Sequence, residues 1–475
     1  MAPTVFNTDE SYYIWDLDRP RKRPRLEIEE EEEEDLDISD ISLPQPHDST
    51  YEPGASLTEV SEMTTVHIVS IIERASFVKM EKICKAMKLQ VHQYDTFRRH
   101  SRLFLEPAIY HKWTTDQQLF LEELKKKDKI AVGGDMRADS PGHSAKFGSY
   151  TLMELESERY LIYNYNEVGG SFYMEKEGLR RSLDLLQDNN INLDYIVTDR
   201  HTQVKTFLRG RNITQYYDVW HMEKGLSKKL DKLSKDKECQ LIKKWSAAIK
   251  NHMYWAASSS KTGPEKVAKW TSLINHIQNV HTHDDPEFPK CAHPEKVSRD
   301  PSKWFQPGSL ALYKVEKLLV NKRVLGDVSK LSSDHQTSLT GGVSQCGYTL
   351  CPQKCGLSLL GMMCRLYLAG MHFNENVKRA QATSKGKALF KVAYPKYKKG
   401  KPTAKPVKTK PTFGYVTELM RLVFNEVFAE PGRFVDQLKS VPVPEDLSAQ
   451  HEKVSKDEVI AAHVSRFSRA RCERL

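Results

Sequence analysis

Apolar side chains recur at helical spacing between residues 66 and 124. Phe77, Met80, Ile83 and Met87 are followed by Leu103, Leu105 and Ile109, which predicts a helical lead-in with Arg98, Arg99 and His100 on a basic face. The pattern then shortens to β-rich runs at Lys129–Asp135, Gly148–Leu155 and Tyr160–Tyr165, parted by turn-forming residues. Leu179, Leu183 and Leu186 give Met174–Leu186 one apolar face, so a helix is expected there, followed by strands over Leu193–Thr198 and Thr214–Val219 with a helix-like Val204–Leu208 between them. Residues 226 to about 335 read as helical and carry Trp245, Trp255, Trp270 and Trp304. Met362–Asn374 is a strongly apolar helix, Tyr394–Lys410 a Lys/Pro linker without an acid, and Phe413–Phe428 a last helix. Three strands, a helix, a strand, a helix and a strand make a mixed α/β order.

At 475 residues, 39 % of them hydrophobic, the chain has apolar material for more than one core. No apolar run reaches the roughly 20 residues of a bilayer span, and Met1–Trp15 lacks a basic segment leading into an apolar one, so neither membrane insertion nor secretion is expected. Eight cysteines in such a chain argue against a disulfide framework. Charge changes the picture more. Residues 1–60 hold 17 acids against five bases, or −12; with +9 for the whole chain, residues 61–475 carry +21. A body that basic suits a nucleic-acid partner, and it also fits a soluble protein with many surface lysines. The arm itself, with its acidic run Glu29–Glu34, cannot bury enough apolar surface to fold, and its cluster Arg19–Arg25 reads as a signal for the nuclear import machinery, placing the protein in the nucleus.

Candidate chemistry sits at strand ends. Asp135 closes Gly133-Gly134-Asp135, Asp139 follows, and Asp199 closes Val197-Thr198-Asp199. Carboxylates on adjacent strand ends can converge, and hard oxygen donors suit Mg²⁺. Asp218 and His221 follow the fifth strand, where the imidazole either orients a phosphate or carboxylate or serves to cap the next helix. Lys396, Lys398, Lys399 and Lys401 of the linker are candidate DNA contacts. Cys346, Cys351, Cys355 and Cys364, flanked by His335 and His372, superficially suggest zinc but lack a tight C-x2-C knuckle. The same ambiguity holds for His276, His281, His283, Asp284, Cys291 and His293, which also read as a polar loop between helices.

Five segments carry a resemblance: GGDMRADSPGHSAKFGSY (133–150), NEVGGSFYMEKEGLRRSL (166–183), IVTDRH (196–201), YYDVWHMEKGLSKKL (216–230) and KWTSLINHIQNVH (269–281). Over residues 75–465 the chain resembles a multicopy, transposon-derived family abundant in fish genomes, whose core is similar to ribonuclease H-like DDE transposases of the hAT and Mutator-like groups. The resemblance implies Asp135 and Asp199 as the first two catalytic, Mg²⁺-holding acids and matches Asp218 and His221 to a C/D-x2-H motif; a second copy of the chain is a further candidate partner. The implied organisation is a disordered acidic arm (1–60), a helical lead-in (61–126), a ribonuclease H-like α/β core (127–230), an all-helical insertion (231–335), a return to the core (336–390), a linker (391–412) and a helical end (413–475). The chain departs from the family in two places. The Cys-rich segment usual before Ala75–Met87 is absent, and Thr340–Cys346 stands where the family carries its third acid in a Ser-Leu-Glu-Ala-Phe-His-Ser segment. With suitable codons, reading Gly341–Leu357 from the second base gives E-A-F-H-S-V-V-I-R-F-A-P-K-N-V-V, so residues 341–358 are read as frame-shifted. The ancestral strand cleavage and transfer is then expected to be lost or nearly so, with Glu375 the nearest substitute acid. The alternative reading is a domesticated, non-catalytic nuclear protein that binds DNA or protein partners.

Overall fold

The computed structural model describes residues 93–138, 148–166, 171–293, 300–333, 359–394 and 402–441, with isolated positions within 81–88 and 455–458. The acidic arm with its basic cluster, Asp139, His335, the stretch 341–357 with its three cysteines, and Lys396, Lys398, Lys399 and Lys401 lie outside the described residues.

Helix α1 (Tyr94–His100) runs through a π-helical turn, Ser101–Leu105, into α2 (Glu106–Leu124). Strands β1 (Ile130–Ala138), β2 (Gly148–Glu154) and β3 (Arg159–Asn166) form an antiparallel meander. After α3 (Ser171–Asp188), β4 (Leu193–Thr198) returns beside β1 in parallel; α4 (Thr202–Gly210) then leads to β5 (Thr214–Tyr217), parallel to β4. The fold is therefore mixed α/β around a five-stranded mixed sheet of order β3-β2-β1-β4-β5.

Strand alternation divides the sheet between two cores. Tyr150 and Leu152 of β2 join Val132, Ile196 and the apolar stripe Leu179, Leu183 and Leu186 of α3. Met153 and Tyr160 join the opposite cluster with α2 and α10 (Leu359–Asn376). That helix is apolar on nearly every side because it lies between the sheet, α2 and α11 (Gly414–Leu422). Cys364, one of the cysteines weighed for zinc, is buried in this core with its thiol 3.6 Å from the Glu106 carbonyl, which explains it as packing.

Between β5 and α10 stand α5 (Val219–Leu233), α6 (Gln240–Ser258), α7 (Gly263–His276), α8 (Leu310–Leu319) and α9 (Lys322–Val328), which share one core around Trp270, Ile249 and Phe305. The chain then returns to where it left the sheet. Tyr217 N–H donates to Lys330 O (2.7 Å) and Ser332 N–H to Tyr217 O (3.0 Å), while the buried Lys266 ammonium donates to Leu331 O (2.7 Å).

Two expectations are corrected. Asp135 does not end its strand: β1 continues to Ala138 because β2 supplies antiparallel partners as far as Gly148, with Asp135 opposite Thr151. The stretch 391–412 is not wholly a linker, since Phe390–Ala393 pairs antiparallel with Thr403–Pro406; alternation of Phe390 and Val392 with lysine sustains a ribbon whose apolar side chains stay exposed. No helix among the described residues is long and apolar enough to cross a membrane.

Candidate functional site

Gly133 of β1 is paired with Val197 of β4, so Asp135 and Asp199 each stand two residues beyond the same rung of a parallel ladder. Period-2 alternation turns both to the same side, and their charges act on each other. Gly134 is demanded by its surroundings. A Cβ there would come 2.1 Å from the Tyr150 hydroxyl oxygen, and the buried Tyr150 ring beneath the acids leaves no room for it.

Three consecutive side chains after β4 tie three elements to this point. Asp199 accepts from His221 Nδ1, Arg200 Nε bonds Asp327 of α9 at 2.7 Å, and His201 Nδ1 lies 3.9 Å from Glu175 of α3. Asp218 is the N-cap of α5. Its buried carboxylate accepts from the His221 N–H (3.2 Å) and also faces His221 Nδ1 at 2.8 Å. The capping group is thus Asp218, and His221 bridges two carboxylates. Burial opposes the imidazolium, but the hydrogen bonds and charges of Asp199 and Asp218 outweigh it and hold the His221 pKa up at about 10. Because Nδ1 is engaged by both acids, Asp199, Asp218 and His221 form an ion-pair triad, with that nitrogen bonded rather than open to a metal.

The residue that sequence reasoning missed is Glu175. Burial first, then repulsion from Asp199 and Asp135, pushes its carboxyl up to about 7. Asp135 is raised to about 6 by burial and then Asp199, against the opposing pull of His221 and of the Met136 N–H, which donates to its Oδ1 at 2.8 Å. Glu177, two positions along α3 and on another face, behaves oppositely: Arg180 and Arg181 hold it at about 2. The signal for Glu175 was present in the sequence, since it stands one turn before Leu179 on the apolar stripe of an amphipathic helix, where an acid is out of place. Glu175 thus lies within electrostatic range of Asp135, Asp199 and His221, while the ligand atoms that fall within 4.8 Å of one another are those of Asp199, Asp218 and His221.

Glu375 takes no part in this cluster. Its two oxygens accept the N–H groups of Gly414 and Tyr415, each at 2.8 Å, and so close the N-terminus of α11. Beside the triad, Trp220 is exposed, its ring edge-on to His221, with the Lys224 ammonium 4.7 Å from its centroid.

No protein-family model and no curated protein matches the chain. Among solved structures it is similar to the Drosophila P element transposase strand transfer complex, with 8 % identity and a TM-score of 0.27 over 70 % of this chain and 95 % of that one. So low a similarity carries no argument, and the reading of the site rests on its own residues.

Proposed function

We propose that the protein is a transposase-derived, nuclear DNA-binding protein on a ribonuclease H-like core, in which Asp135, Asp199 and Glu175 hold Mg²⁺ while strand cleavage has been lost. The observation that carries this reading is the parallel register that sets Asp135 and Asp199 two residues beyond the Gly133–Val197 rung, with Glu175 of α3 near enough to feel the charge of both. The sheet order, with three antiparallel strands followed by two parallel ones, supports the same core. A divalent cation bound there would stabilise the charge that develops on a phosphodiester under attack. His221 bonds Asp199 and fixes it in place; Trp220 and Lys224 offer a stacking face and a positive charge beside it. Glu175 suffices for cation binding, but it lies on the segment before β4 and does not replace an acid from residues 341–358, where the cleavage reaction of the family has its third group.

Full-length protein should bind Mn²⁺ by paramagnetic resonance, bind duplex DNA with an affinity that falls steeply with salt, and leave supercoiled plasmid intact. A chain carrying the alternative frame at 341–357 should nick it. Equal cutting by both chains would refute the loss of cleavage, and absence of Mn²⁺ binding would refute the cation site. DNA binding without salt dependence would remove the charge argument and favour a protein-interaction role.

The nuclear placement rests on the arm. With Arg19, Arg21, Lys22, Arg23 and Arg25 changed to alanine, a fluorescent fusion should stay cytoplasmic; undiminished nuclear accumulation would overturn the import reading.

A further inference from the structure

A second cluster of side chains lies within the helical segment, away from the acids. α7 ends at His276, and Asn279, at φ 63°, turns the chain back with its N–H on His276 O (3.1 Å). Two backbone bonds then close a short loop: His283 N–H donates to Pro289 O (2.8 Å) and Cys291 N–H to His281 O (3.0 Å). This sets Cys291 opposite His281, and His293 follows two residues on. One ligand atom from each of His276, His281, Cys291 and His293 lies within 4.8 Å of all the others.

We propose that these four residues form a closed, structural Zn²⁺ site. His276 Nδ1 is 3.6 Å from Cys291 Sγ and 3.5 Å from His293 Nε2. Tetrahedral zinc with bonds of about 2.0–2.1 Å to nitrogen and 2.3 Å to sulfur has N···N and N···S edges of about 3.3–3.6 Å. Four protein ligands leave no open position, so the site would hold structure and take no part in the chemistry of the acids. A thiolate with three imidazoles selects a softer ion than the carboxylates do.

The surroundings complete the donor set. His281 Nδ1 is buried without a hydrogen-bond partner, while its Nε2 is 3.3 Å from Asn279 Oδ1; a proton donated there leaves the Nδ1 lone pair for the metal. His283 Nε2 lies 3.3 Å from Cys291 Sγ and its Nδ1 3.4 Å from the Asn275 side-chain amide, an arrangement that supplies an N–H to a thiolate. Trp245 and Trp304 pack against His276 and form an apolar wall.

The test uses full-length protein purified without chelator. Elemental analysis after gel filtration should find one zinc per chain. That zinc should persist in Asp135→Asn/Asp199→Asn and vanish in His276→Ala/Cys291→Ser. Should the latter variant fail to fold, wild-type protein stripped by a chelator still decides. Adding Zn²⁺ should slow alkylation of Cys291, followed by peptide mass spectrometry, by about tenfold or more, because a coordinated thiolate is withheld from the reagent. Alkylation unaffected by Zn²⁺, or full zinc content in His276→Ala/Cys291→Ser, would overturn the site. Neither result bears on Mn²⁺ binding at the acids, so the two proposals fail separately.

Discussion

Asp135→Asn should raise the stability of the protein at pH 8 and abolish its response to divalent cations. Burial, and then the charge of Asp199, push the wild-type carboxyl up to about 6. An unfolded Asp titrates near 4, so the wild-type fold loses stability as pH rises from about 4 through 6, and Glu175 adds a like loss between about 4.5 and 7. Asparagine keeps the shape and removes the first of these losses. The variant should match wild type at pH 4 and exceed it by about 1–2 kcal/mol at pH 8, the usual scale when a strained functional charge is removed. Mn²⁺ should raise the wild-type melting temperature more at pH 8 than at pH 5.5, since it binds the ionised carboxylates, and should leave the variant unchanged. Thermal denaturation at the three pH values, with and without Mn²⁺, checks both parts. A variant less stable than wild type at pH 8, or still stabilised by the cation, would contradict the reading.

The opposite sign is expected for His221→Ala. His221 is the cation between Asp199 and the buried Asp218, and its loss leaves two carboxylates facing each other. Breaking a buried pair costs about 3–5 kcal/mol, and the partial exposure of His221 reduces this to about 2–3 kcal/mol at pH 6. Its folded pKa near 10 lies above the unfolded value near 6.5, so its contribution is complete below pH 6.5 and declines as pH rises through 10. The gap between wild type and variant should therefore narrow from pH 6 to pH 10. Denaturant unfolding at those pH values measures it, and a constant gap would mean that His221 acts by packing alone.

Much of the sheet was legible because its strands carry their own pattern. Leu193–Thr198 was expected and observed with the same bounds, and Gly148–Leu155 differs by one residue. What periodicity cannot give is where ladders end: Asp135 was placed at a strand terminus because the apolar run stops there, whereas partners on β2 carry the strand on. Motifs single out Asp135, Asp199 and an imidazole able to orient a carboxylate at His221, but which carboxylates His221 bridges follows only from the parallel register of β4 and β5, which brings Asp218 beside Asp199. The leucine stripe of α3 predicts the helix but does not place Glu175, which only the tertiary fold brings near Asp199. Glu375 was weighed as a metal ligand by its distance along the chain, yet its N–H partners lie nearly forty residues downstream.

One face of the sheet is finished late in synthesis. Met153 and Tyr160 are covered by α10, which follows the whole helical segment. About 190 residues separate the end of β3 from the start of α10, and at roughly 5–20 residues per second a ribosome needs about 10–40 s to make them. Hairpin and helix formation are complete within microseconds, so the nascent meander waits through that interval with α2, and not yet α10, on that face. The order of elements along the chain thus leaves one of the cores incomplete until the whole helical segment has been made.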